Sequence, residues 1–189
     1  MKTKVIAQDR TILKKLIDQE IADNGNNCDL NYIDISQITT LNLIFANSKF
    51  NGDISQWDTS NVTEMRCMFL KSSFNGNISG WDVSKVKDMN SMFSDSQFNG
   101  DITNWNVSSV TDMNYMFQYS MFNRDLSKWK PFNLYMKHAM FDECKAPQPY
   151  WVNLESKEIR QKAIEAYLLH VDLKAELDEN GTLQKKIKI

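Results

Sequence analysis

The chain has 189 residues, 42% of them hydrophobic, with 22 Lys and Arg against 24 Asp and Glu and a formal net charge of −2. That length suits one domain, and the slightly acidic balance offers no basic stripe of the kind a nucleic-acid backbone needs. Cys28, Cys67 and Cys144 are an odd number without metal-site spacing, which argues for reduced thiols rather than a disulfide framework.

The opening stretch MKTKVIAQDRTILKKL has no continuous apolar run before Asp9 and Arg10, so it does not read as a secretory signal. No later segment approaches the ~20 apolar residues that span a bilayer. Together with the thiols, this predicts a cytoplasmic protein without a membrane-spanning segment. Asp9 is placed to cap a helix whose Ile12, Leu13, Leu16, Ile17 and Ile21 form one apolar stripe, and the cap would supply an acceptor for otherwise unpaired N–H groups. Residues 1–27 are therefore predicted to form an N-terminal helical cap.

Residues 28–145 repeat. Phe50, Phe74, Phe98 and Phe122 recur every 24 residues, as do Trp57, Trp81, Trp105 and Trp129, and a Met-Phe pair closes each unit at Met68, Met92, Met116 and Met140. An earlier, degenerate copy keeps the register with Ile33 in the tryptophan position. Exchange among bulky apolar side chains points to core packing and not to a cofactor site. Periods of roughly 20 to 50 residues mark units that bury their faces against neighbouring units.

Within a unit, GDIS, GNIS or GDIT follows an Asn-Gly turn signal and is a short extended candidate. Val62, Met65, Met68 and Phe69 have the spacing of a short helical face. Ser60, Ser84 and Ser108 precede that face as candidate N-caps, with Glu64, Asp88 and Asp112 in the first turn. The unit is thus predicted as strand, turn and short helix, an α/β repeat. Asn51, Asn75, Asn99 and Asn123 form a column expected to be structural. A cation at Asp53, Asn77, Asp101 and Asp125 is disfavoured, because Asn77 interrupts the carboxylates and no calcium-loop order is present.

From Cys28 to Phe141 the repeated pattern FNGDISxWDxSxVxxMxxMF resembles the bacterial surface leucine-rich-repeat proteins of the BspA-like type, including mycoplasma lipoprotein-associated repeats. The resemblance implies an LRR-like solenoid of about four to five 24-residue units, associated with surface adhesion or protein recognition and with no shared catalytic set.

The register degrades at Pro131, Phe132 and Lys137, and APQP signals a change of element. Ser156 is placed to start a helix with Ile159, Ala163, Ala166 and Tyr167 on one face. Val171, Leu173, Ala175 and Leu177 then alternate, and Leu183, Ile187 and Ile189 share one side of a returning strand, joined through Gly181. Residues 146–189 are predicted as a C-terminal cap of helix plus β-hairpin, whose edge is also available for homo-oligomerisation.

His138 and His170 are the only histidines. Neither belongs to a catalytic or metal pattern, and no nucleophile elbow or nucleotide loop is present. The expectation is a non-enzymatic protein without a cofactor. Recognition is expected where the register varies from unit to unit. Cys67, Ser91 and Tyr115 form one variable column, Leu70, Ser94 and Gln118 a second, and Lys71, Asp95 and Tyr119 a third. The candidate protein-binding patch is Arg66, Leu70, Tyr115, Tyr119 and Met121, with Lys71 and Asp95 tuning orientation; the two tyrosines are expected to be neighbours at helical spacing. The leading expectation is a protein-binding module, an intracellular inhibitor or adaptor that masks a partner surface. An adhesion protein and a structural oligomer are the alternatives.

Overall fold

The computed structural model describes residues 2–180, with side chains through residue 174. Strand β1 (Val5–Ile6) runs parallel to β2 (Ile33–Asp34), pairing Val5 with Ile33 and Ile6 with Asp34. Between them lies helix α1 (Arg10–Asn24), and helix α2 (Lys157–Asn180) follows a 3-10 turn at Tyr150–Asn153.

Asp9 caps α1 as its sequence predicts, accepting the Ile12 N–H at 2.9 Å. The helix stops at Gly25, where φ is 81° and the N–H returns to the Ile21 carbonyl, a left-handed ending that glycine adopts without a Cβ penalty. Leu13 and Ile17 of the apolar stripe are buried, and Leu16 and Ile21 pack partly against the same core. Glu20 is also buried, held by the Tyr32 hydroxyl and the Asn24 amide, each 2.8 Å away, and by the Lys2 ammonium.

The repeats fold differently from their prediction. Residues 28–145 contain no helix, and β2 is their one strand. Single parallel bridges join residue to residue at the 24-residue interval, from Thr40 through Glu64, Asp88 and Asp112 to Met136, with a further bridge from Asp29 to Asp53. The expected LRR-like solenoid of strand-and-helix units is therefore incorrect. The sheet has two short strands and does not close, and each 24-residue layer is made of turns.

The backbone hydrogen bonds supply the physical reason. Leu41, Leu43, Phe45 and Asn47 donate to the carbonyls of Glu64, Arg66, Met68 and Leu70 in the next layer, at 2.8–3.0 Å. The alternate residues Ile44, Ala46 and Ser48 donate back to Leu41, Leu43 and Phe45 at 3.2 Å. A helix would direct successive N–H groups to the carbonyl four residues earlier. Here half of them leave the layer, and Leu43 and Asn47 take left-handed φ of 61° and 58°. The same pair of left-handed positions recurs at Cys67 and Lys71, Ser91 and Asp95, Tyr115 and Tyr119, and Ala139 and Glu143. Val62, Met65, Met68 and Phe69 are all buried, so their spacing tracks burial along a chain of turns.

Ser60, Ser84 and Ser108 are not N-caps. Their N–H groups donate to the side-chain oxygens of Asp58, Asp82 and Asn106 at 3.1, 2.9 and 3.2 Å. Ser55, Ser79, Thr103 and Ser127 do the same with Asp53, Asn77, Asp101 and Asp125. These Asx turns give the backbone a local acceptor that competes with sheet pairing, and the GDIS-type segments consequently turn instead of extending.

The core is a set of aromatic columns. Phe45, Phe69, Phe93, Phe117 and Phe141 stack with ring centroids 5.5–5.7 Å apart. Phe50, Phe74, Phe98 and Phe122 form a second column at 6.1–6.3 Å. Trp57, Trp81, Trp105 and Trp129 are buried beside them, and each indole N–H donates to a carbonyl of the preceding layer, at Leu30, Ile54, Ile78 and Ile102. Trp151, in the 3-10 turn, continues the series by donating to Leu126 at 3.3 Å.

α2 corrects the C-terminal prediction. Ser156 stands at its start, with Oγ accepting the Ile159 N–H at 3.4 Å, but the buried face carries Arg160 and Ile164 while Ile159 is exposed. Residues 171–177, predicted as the first hairpin strand, lie within the helix. Leu, Lys, Ala and Glu in DLKAEL are strong helix formers, and that propensity prevails over the apparent alternation. Gly181, Leu183, Ile187 and Ile189 lie outside the described residues.

Candidate functional site

The residues that vary between layers sit on a backbone that scarcely changes. Cys67, Ser91 and Tyr115 share a left-handed position, as do Lys71, Asp95 and Tyr119. Each N–H in these columns is fixed to the next layer: Tyr115 donates to His138 and Tyr119 to Asp142, both at 2.9 Å. A left-handed α conformation costs a non-glycine residue roughly 1–2 kcal/mol, so these positions are costly to fill and are filled differently each time.

The seven candidate residues spread over several layers. Arg66, Lys71 and Asp95 are exposed, Leu70 and Tyr115 are half-buried, and Tyr119 and Met121 are 59% and 49% exposed. Tyr115 and Tyr119 are not neighbours on a helix, because no helix exists there. Tyr115 instead meets His138 edge-on, with centroids 5.3 Å apart and planes at 86°. The Arg66 N–H is held by the Asn42 side chain at 2.7 Å, and the His138 N–H by Asn114 at 2.7 Å.

On another edge, Asn51, Asn75 and Asn99 each accept the N–H of the asparagine one layer on, at 2.8, 2.8 and 3.1 Å. The column is a backbone clamp at the layer edge, with Asn51, Asn75 and Asn123 exposed.

The carboxylates are likewise structural. Hydrogen bonds from Ser36 and the ammonium of Lys4 hold Asp34 down to about 2, and bonds from Ser55, Ser60, Ser84 and Thr103 lower Asp53, Asp58, Asp82 and Asp101. Asp88 moves the other way, raised by burial and by the neighbouring charges of Asp112 and Glu64. Among the described residues no group of three or more His, Cys, Asp or Glu is placed to hold a metal ion. No helix among them is long and apolar enough to cross a membrane.

Sequence reasoning passed over Tyr135 and Met136, which are exposed on the last layer, and the buried Arg160. Tyr135 had a usable signal, since it occupies the column of Thr63, Lys87 and Thr111. Arg160 had none, because an arginine in a helix ordinarily reads as solvated.

The family model described as "Mycoplasma protein of unknown function, DUF285" matches residues 13–119 and 81–162. The chain belongs to that family. No curated protein and no solved structure matches it. The resemblance to BspA-like leucine-rich-repeat surface proteins is thereby corrected: the matched family is DUF285 and the layers lack the strand-and-helix unit. The adhesion alternative, which rested on that resemblance, falls with it.

Proposed function

We propose that this chain is a non-catalytic protein-binding module, acting as an inhibitor or adaptor by masking a partner's surface. The observation that carries the reading is the exposure of Tyr119 and Met121. Equivalent positions in earlier layers hold Lys71 and Asp95, or Ser73 and Gln97. Both backbones are pinned, Tyr119 to Asp142 at 2.9 Å and Met121 to Ser96 at 3.0 Å. A pinned backbone spares the cost of ordering a loop on binding, and tyrosine and methionine are both enriched at protein interfaces. The odd cysteine number supports a cytoplasmic setting.

The test is affinity capture from producing cells with the native chain and with a Tyr119→Ala, Met121→Ala double variant of unchanged urea midpoint. A partner retained at least tenfold less by the variant supports the patch. Equal retention removes it.

Self-association is a second reading, favoured by α2. Ile159, Leu169 and Leu173 are exposed on that helix and, with Ala166, stand seven, three and four residues apart, the positions of a helix-pairing seam whose remaining place is Lys162. Sedimentation of the native chain against Leu169→Glu decides it: a concentration-dependent mass lost in the variant supports pairing, and a monomer in both excludes it.

A further inference from the structure

Arg160 is 1% exposed. Its Nη1 donates to the Leu154 carbonyl at 3.0 Å and its Nη2 to that of Leu134, which fastens α2 to the last layer. Its Nε has no partner among the described residues. The ion pairs found there join Lys2 to Glu20, Lys4 to Asp34 and Lys14 to Asp18, so no carboxylate neutralises the guanidinium. Carbonyls satisfy donors without cancelling charge, and an uncompensated buried cation is costly.

Arg160 lines a cavity of about 520 Å³ between the later layers and the start of α2. Lys87 and Lys157 line it too, together with Ser109 and Tyr135. Glu155 is the one opposing charge on the lining, so three cations face a single carboxylate in a chain whose net charge is −2. Lys157 is steadied by the Asn133 side chain at 2.9 Å. Lys87 is anchored at its backbone, where its carbonyl accepts the Thr111 N–H at 2.8 Å and the Thr111 hydroxyl at 3.0 Å.

We infer that this cavity is a binding site for a small oxyanion, a carboxylate or phosphate group, taken up by Lys87 and Lys157 against the unneutralised Arg160. Charge-assisted bonds from guanidinium and ammonium groups are stronger than neutral ones, and anion entry lowers the cost of the buried cation. The site is separate from Tyr119 and Met121 and does not depend on the protein-binding reading.

The experiment is a titration of the full chain with inorganic phosphate and, separately, with acetate, each at constant ionic strength against chloride. The readouts are the Arg160 Nε–H resonance, assigned with Arg160→Lys, and the backbone amides of Thr111 and Tyr135. A saturable shift with either anion, weakened at least tenfold in a Lys87→Ala, Lys157→Ala double variant, is expected; the stronger of the two anions identifies the group. Linear, chloride-like changes with both anions, or saturation unaltered in the double variant, overturn the proposal. Both lysines are exposed, so the double variant retains the buried frame.

Discussion

The indole N–H of Trp81 donates to the carbonyl of Ile54, 3.1 Å away in the preceding layer. The same carbonyl accepts the Trp57 N–H at 3.2 Å, so one oxygen joins a turn within its layer to the ring of the next. Stacking and hydrogen bonding thus act at the same residue. Replacing Trp81 with Phe removes a bond of about 1 kcal/mol and leaves part of the indole volume empty, for a total loss of about 2–3 kcal/mol. Urea unfolding measures it; a loss under about 0.5 kcal/mol means that the indole bond contributes nothing to the stack.

Lys71, with φ of 53°, occupies the position that Asn47 fills two dozen residues earlier. Asparagine tolerates the left-handed region and a β-branched residue does not. Lys71→Asn is expected to stabilise the chain by roughly 0.5–1 kcal/mol, and Lys71→Val to destabilise it by more than about 1 kcal/mol. Opposite signs in paired urea titrations are the expected outcome, and equal midpoints would contradict the left-handed geometry.

How much of this was legible in the sequence depends on which physical signal each residue carries. Phe50, Trp57, Met65 and Met68 announce burial because apolar identity persists at a fixed interval, and all four are buried. Asp9 announces a helix start because a carboxylate before an apolar stripe satisfies N–H groups locally. The conformation between those points was not legible. Val62, Met65 and Phe69 have a spacing that helices and stacked turns both produce, and only the interlayer bonds distinguish the two. Those bonds join residues about one repeat apart, beyond any local window. β1 was also missed, since two residues paired to a distant strand leave no periodicity. For the candidate patch, the sequence located variable columns but not their handedness, because Tyr115 and Lys71 ordinarily avoid positive φ and Asp95 alone, of a type that tolerates it, does not mark the column.

Gly52 and Gly80 offer a controlled comparison. A Cβ built on Gly52 would lie 1.9 Å from the Cys28 carbonyl oxygen and 2.7 Å from the Phe50 ring, whereas one on Gly80 meets nothing within 4 Å. Gly52→Ala must displace backbone and is expected to cost at least about 3 kcal/mol. Gly80→Ala is expected to leave stability unchanged or raise it by up to about 1 kcal/mol, through the lower entropy of the unfolded chain. Thermal unfolding of the pair checks this, and a Gly52→Ala protein that melts with the native chain would refute the close approach of these layers.

The carboxylates set an acid limit on the fold. Asp34 is held at about 2 by Ser36 and Lys4, and Asp53, Asp58, Asp82 and Asp101 are lowered by their own turn bonds. A carboxyl that ionises more readily in the folded chain stabilises it above its unfolded value, near 3.9, and that contribution disappears as pH falls through the folded value. Asp88 opposes this trend: burial raises it, so its protonation in mild acid favours the folded chain. Stability is therefore expected to hold or rise slightly as pH drops from neutrality toward the raised Asp88 value, then to fall steeply from about pH 4 toward pH 2 as the Asx-turn carboxylates protonate. Urea midpoints across that range test the profile. Asp34→Asn is expected to reduce the acid slope, and Asp88→Asn to remove the initial rise; a profile unchanged by both would mean that these carboxyls do not govern acid unfolding.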